Sequence, residues 1–258
     1  MRSLHHPCYD EGFIDLTSMD YEEWLEWVFT TDHTQWPDFC VQDPERLVNY
    51  FIQMCRDFAR IGKQYSHEQI DQAIWFLLSA QLEFGRYLLD TSIPLSKRLE
   101  CLHAMYHPFA DFLSRQGGRY DGSGFFMWWD LIIESHFWGP DILSLEDLEQ
   151  RYGIVWKEAV LQSENSRRVL KKTLRVWEQL YQQTTPDRRA LLDETLRTLS
   201  RILKLEEPCC CGAALHGLGH LRHPKGWRLV QDFINRHRAE LTDDELRWMR
   251  NCRDGVVL

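Results

Sequence analysis

Three observations along this 258-residue chain predict an all-α fold. Apolar residues recur at steps of three and four almost throughout, the period of one face of a helix. No segment sustains the period-two alternation, bounded by turn residues, that marks a strand. Helix-start chemistry also recurs. Asp20 with Glu23, Ser66 with Gln69 and Thr242 with Glu245 have the spacing of capping boxes, in which each side chain satisfies the other's orphan backbone N–H. Asp43-Pro44 and Thr185-Pro186 set a cap oxygen before a proline whose missing N–H costs nothing at the first helical position.

These signals place helices near 20–29, 44–61, 67–89, 94–115, 124–138, 145–161, 164–183, 186–204, 208–222, 225–238 and 243–253. The second carries Leu47, Phe51, Met54, Phe58 and Ile61 as one stripe, and the third carries Ile70, Ile74, Leu77, Leu78 and Leu88. Helix 164–183 sets Val169, Leu170, Thr173, Leu174, Val176, Trp177, Leu180 and Tyr181 against Arg167, Arg168, Lys171, Lys172 and Arg175, one packed face and one basic solvent face. Two places break the rhythm. "RQGGRYDGSG" (Arg115–Gly124) holds four glycines and no apolar aliphatic residue, a loop and the best hinge candidate, and "WGPD" (Trp138–Asp141) ends the aromatic helix. Neither is a long linker. The expected organisation is one continuous unit, subdivided into an acidic, aromatic-rich part at 1–138 and a second helical part at 139–258.

Composition narrows the function classes. No apolar run reaches about 18 residues, so no membrane span is expected. The opening "MRSLHHPCYDEGF" lacks the apolar stretch and cleavage site of a secretory signal, and the eight cysteines therefore read as reduced thiols of a cytoplasmic protein. The net charge of −9 is unevenly spread: residues 1–45 hold eleven acids and one base, or −10, and the remainder holds 29 bases and 28 acids. There is no Gly-x-Ser-x-Gly elbow, phosphate loop or dinucleotide fingerprint.

The densest chemistry lies in "CCCGAALHGLGHLRHP" (Cys209–Pro224). On a helix, Cys209, His216, His220 and His223 fall at about 0°, −20°, 20° and −40°, one stripe. Cys209 and His223 would stand about 21 Å apart along the axis, so one ion cannot take them all. His216 and His220, one turn apart, are the candidate metal ligands, with His103 and His107 spaced alike; the glutamate of a His-Glu-x-x-His helix is absent, Gly217 standing there. The plainer expectation is packing: Ala213, Ala214, Gly217 and Gly219 let helices approach closely, and cysteines serve as small apolar residues. No cofactor is called for. "GAALHGLGHLRHPKGWRLVQDFINRH" (Gly212–His237) resembles a single HEAT-type repeat, about a tenth of the chain, with His223 where the turn usually carries Asp. The resemblance implies an α-solenoid-like array of antiparallel helix pairs and a binding scaffold.

Two regions are candidate binding surfaces. "DYEEWLEWVFTTDHTQWPDF" interleaves Glu22, Glu23 and Glu26 with Tyr21, Trp24, Trp27 and Trp36: acids to steer a basic protein partner and aromatics to anchor it, or else a short amphipathic helix docking its rings on the body. Residues 165–205 carry ten bases (Arg167, Arg168, Lys171, Lys172, Arg175, Arg188, Arg189, Arg197, Arg201 and Lys204) against four acids. HEAT-like folds include DNA glycosylases, but the acidic whole argues against nucleic acid. Trp128, Trp129, Asp130, Glu134 and His136 either line a pocket or form an apolar helix face. The expected function is a non-enzymatic binding scaffold, adaptor or neutralising (immunity-type) protein. The alternatives are a metal-dependent hydrolase or lyase using His216 and His220, and a HEAT-like nucleic-acid enzyme.

Overall fold

The computed structural model describes residues 13–32, 38–133, 150 and 166–257. The chain divides into two compact units, Met1–Phe125 and Phe126–Leu258. The boundary expected at 138–139 lies outside the described residues, as does the helix expected at 145–161. Helices dominate: α1 Tyr21–Thr30, α2 Pro44–Arg56, α3 Phe58–Gln64, α4 His67–Leu78, α5 Leu95–Ala104, α6 Gly124–Ile133, α7 Ser166–Gln183, α8 Pro186–Leu203, α9 Pro208–Leu221, α10 Gly226–His237 and α11 Asp243–Asp254. All three capping boxes form, and Asp43 and Thr185 cap their prolines as the sequence requires. The described residues are thus all-α, apart from one two-residue parallel pairing of Ile14–Asp15 with Phe39–Cys40 that is too short for any alternation to reveal.

In the first unit, three expected long helices are broken, each for a local reason. The helix expected at 44–61 stops at Asp57, whose ψ of 2° is not helical, and restarts as α3. The offset brings Gly62 against the Phe112 ring so closely that a Cβ there would lie 2.1 Å from Phe112 Cδ2. The helix expected at 67–89 ends at Leu78, and Glu83 turns left-handed (φ 56°) before a 3₁₀ stretch over Phe84–Leu88. That reversal buries Leu82, Phe84 and Leu88 and stacks Phe84 on Phe51 at 3.8 Å. The helix expected at 94–115 ends at Ala104. Pro108 has no N–H to donate, and its ring opposes the carbonyl four residues back, so the chain passes through a widened π-type turn, Pro108–Phe112.

Residues 115–124, expected as a hinge, are pinned. Asp71 Oδ1 accepts the Tyr120 hydroxyl at 3.0 Å and the Gly124 N–H at 2.6 Å, and Tyr120 packs edge-on to Phe112 and Phe125. In the second unit α9 packs against α8, α10 and α11, with Trp129 of α6 against Gly217. Cys40 is disulfide-bonded, which corrects the expectation of eight reduced thiols; among the described residues Cys55, Cys101, Cys209, Cys210, Cys211 and Cys252 form no disulfide.

Candidate functional site

Helix α1 carries most of the residues expected to meet a partner, and the structure sorts them by chemistry. Its rings turn inward. Trp24 is completely buried beside Tyr50, and Tyr21 is buried with its hydroxyl donating to Asp57 Oδ2 at 3.0 Å. Burial, reinforced by Asp57, raises the Tyr21 phenol far above its usual range. Trp27 is half-buried, edge-on to Phe76 at 5.3 Å. Trp36 lies outside the described residues. Tyr21 and Trp24 therefore belong to the core of the first unit and are unavailable as anchors for a partner.

The carboxylates of α1 turn outward. Glu22 takes a two-pronged pair from Arg60, at 3.1 and 3.0 Å, yet its side chain stays 64% exposed. Such an exposed pair contributes about 0–1 kcal/mol to stability. Glu26 accepts the Tyr65 hydroxyl at 3.0 Å; burial and that bond push the Tyr65 phenol up to about 12. Glu23 completes the capping box with Asp20. All three acids face solvent on a helix held from beneath.

The histidine stripe is buried rather than exposed. His216, His220 and His223 are each at most 3% exposed. His216 and His220 meet at Nε2–Nε2, 3.2 Å apart, with their rings nearly perpendicular. Their outer nitrogens each look at an oxygen: His216 Nδ1 is 3.4 Å from the Phe126 carbonyl, and His220 Nδ1 is 3.4 Å from Asp130 Oδ1. Among the described residues no group of three or more His, Cys, Asp and Glu side chains gathers to hold a metal. Cys209 is exposed and belongs to no such group. His103 is exposed, and His107 pairs with Asp111 at 2.8 Å.

His223 does something the sequence did not signal. Its Nε2–H donates to Asp193 Oδ1 at 3.0 Å while its Nδ1 accepts the Lys225 N–H at 3.1 Å, which fixes the neutral tautomer. Tyr181 donates to the same Asp193 oxygen at 2.9 Å, so one carboxylate ties α7 and α8 to the turn after α9. Burial lowers the His223 pKa, and Asp193 opposes this only in part. Its folded pKa thus lies below an unfolded value of about 6.5. The stability from neutral His223 is complete above that value and is lost as pH falls below it towards the folded pKa, because the unfolded chain then binds more protons. Unfolding in urea at pH 7.5 and 5.5 is expected to show lower stability at the acid pH, with a smaller difference in His223→Gln. An equal pH effect in that variant would remove His223 as its source.

On α7, Lys171, Lys172 and Arg175 are exposed while Val176, Trp177 and Leu180 are buried, the two faces expected from the sequence. The side chains of Arg167 and Arg168 lie outside the described residues. Arg197 pairs with Glu194 on its own helix. Trp128 and Trp129 are fully buried, while Glu134 and His136 lie outside the described residues. Among the described residues no helix is long and apolar enough to cross a membrane. Comparison with family models, with curated proteins and with solved structures finds no match.

Proposed function

We propose that this chain is a non-enzymatic helical binding protein, of adaptor or neutralising (immunity-type) kind, that engages a basic protein partner through the outward face of α1. The observation that carries this reading is the division of labour on that helix. Trp24 and Tyr21 fix it to the first unit, and Glu22, Glu23 and Glu26 stand exposed on a rigid support. Rigid presentation lowers the ordering cost of association, and a concentrated acidic patch accelerates encounter with a positive surface. The sequence adds to this, since residues 1–45 carry the excess negative charge. The HEAT-type reading of 212–237 is supported by two consecutive helices, α9 and α10, packed together across a short turn that contains Pro224. A cytoplasmic location fits the six thiols among the described residues, whereas the Cys40 disulfide fits an oxidising compartment.

The test is capture of partners from lysate of the source cells at about 0.15 M salt and again well above it, where surface charge is screened. A stoichiometric basic protein, released at high salt, is expected. The triple variant Glu22→Lys, Glu23→Lys, Glu26→Lys should then bind it at least about tenfold more weakly, chiefly through a slower on-rate. Its urea-unfolding midpoint should move little, because exposed ion pairs contribute little. Unchanged affinity in the triple variant rejects the acidic face as the binding surface.

A further inference from the structure

We infer that the partner is anchored on a small apolar patch of the first unit, formed by Ile14, Phe39 and Trp27 beside the acids of α1, and that this patch takes a basic amphipathic helix. The inference rests on the acidic-face reading above and deepens it. It names what replaces Tyr21 and Trp24 as the anchor and what the partner must present.

Acids steer an encounter, whereas the affinity of a protein interface comes chiefly from a few apolar and aromatic contacts that lose water on binding. With Tyr21 and Trp24 committed to the core, those contacts must come from elsewhere on this surface. Ile14 is one of three large apolar side chains exposed among the described residues, at 38%. It pairs in register with Phe39 across the short parallel pairing, so the two side chains stand on one face of it. Phe39 is itself only half-buried and meets Trp27 at 6.2 Å. Both rings rest edge-on upon the buried Phe76, at 5.4 and 5.3 Å. Ile14, Phe39 and Trp27 thus form a partly open platform with a core ring beneath it.

The surroundings of the platform set the charge of what it takes. Glu23 lies one helical turn before Trp27 on the same side of α1, and Glu26 precedes Trp27 directly. Both acids are exposed, and so is Asp38, next to Phe39. Residues 13–45 supply the whole platform rim and contain no Lys or Arg. An apolar side chain seated on the platform therefore needs basic neighbours about one helical turn away to meet Glu23 and Glu26. That is the pattern of a basic amphipathic helix, apolar on one face with Lys or Arg on its flanks. An anionic surface is repelled by the same carboxylates.

The full chain is titrated by calorimetry with a synthetic amphipathic helical peptide of Leu and Lys, its leucines on one face. A control peptide of equal charge has Ser in place of Leu. Saturable binding of about one Leu peptide per chain is expected. The Ser peptide should bind at least about tenfold more weakly, and Ile14→Ser and Trp27→Ala should each weaken the Leu peptide by at least as much. The urea midpoint of Ile14→Ser should move little, because that side chain is already exposed. Phe126→Ser, which alters an exposed ring of the second unit, is the control and should leave binding unchanged. If Trp27→Ala fails to fold, Ile14→Ser and the indole N–H signals of the wild-type chain decide. The Trp27 signal, assigned through Trp27→Phe, should move on peptide addition while that of the fully buried Trp24 stays.

The triple variant Glu22→Lys, Glu23→Lys, Glu26→Lys separates the anchor from the acidic face. Weaker peptide binding there, with wild-type binding in Ile14→Ser and Trp27→Ala, overturns the anchor alone. The reverse pattern overturns the acidic-face reading and with it the basic character assigned to the partner. No saturable binding, equal binding of the Ser peptide, or loss of binding in Phe126→Ser overturns the inference as well. So does a free chain that sediments as a dimer and becomes monomeric as Ile14→Ser, since a second copy then covers the patch.

Discussion

Trp24→Ala is expected to destabilise the first unit by about 3–5 kcal/mol, the cost of emptying a fully buried indole site whose walls cannot collapse completely. The ring lies between Tyr21, at 6.2 Å, and Tyr50, at 5.5 Å, and both are themselves fixed by their hydroxyls, Tyr21 to Asp57 and Tyr50 to the Met19 carbonyl at 2.6 Å. Its Nε1 makes no hydrogen bond among the described residues, so the expected loss is packing rather than polar. Trp24→Phe retains most of that contact and should cost less. Urea unfolding followed by circular dichroism measures both. The result also separates two roles for the aromatics of α1. A surface anchor would lose partner affinity at unchanged stability, whereas a core residue loses stability first. A Trp24→Ala loss below about 1 kcal/mol would contradict the packing described here.

Two glycines of α9 are expected to respond to substitution with opposite signs. A Cβ on Gly217 would stand 2.6 Å from Trp129 Cβ and 3.0 Å from Leu199 Cδ2, and the first of these belongs to a side-chain root that cannot move without its helix. Gly217→Val therefore overpacks the contacts of α9 with α6 and α8 and should cost about 1–3 kcal/mol or more. Gly212 has no atom within 4 Å of its own Cβ position. Gly212→Ala should instead stabilise by about 0.5–1 kcal/mol, by removing glycine's excess conformational entropy from a helix interior. Melting of the two variants beside wild type checks both. Equal shifts of one sign would mean that helix propensity alone, and not the close approach at Gly217, governs this helix.

Much of the secondary structure was legible because its signals are local. Capping boxes at Asp20, Ser66 and Thr242 act over four residues, and each helix they announce begins where they place it. The interruptions at Asp57, Ser79–Glu83 and Pro108 were not legible. An apolar stripe continues through them in sequence, and the breaks exist because Leu82, Phe84 and Phe112 find core positions that a straight helix would miss. The candidate sites were legible only as residue types. The acids of α1 and the His216–His220 spacing could be read directly. That Trp24 serves the core, that Asp71 pins the glycine-rich loop, and that Asp193 joins His223 to Tyr181 each depend on residues 12 to 53 positions apart.

Sequence alone determined that this protein is helical, where most of its helices start, and that its excess negative charge lies in the first 45 residues. Periodicity, caps and charge are properties of neighbours along the chain. Only the tertiary structure decided which aromatics are core, how the chain divides into two units, and that two histidines meet at 3.2 Å beside Asp130 and Phe126. The physical reason is that burial and side-chain contact are fixed by packing between helices, and no local pattern specifies which face of one helix meets which face of another.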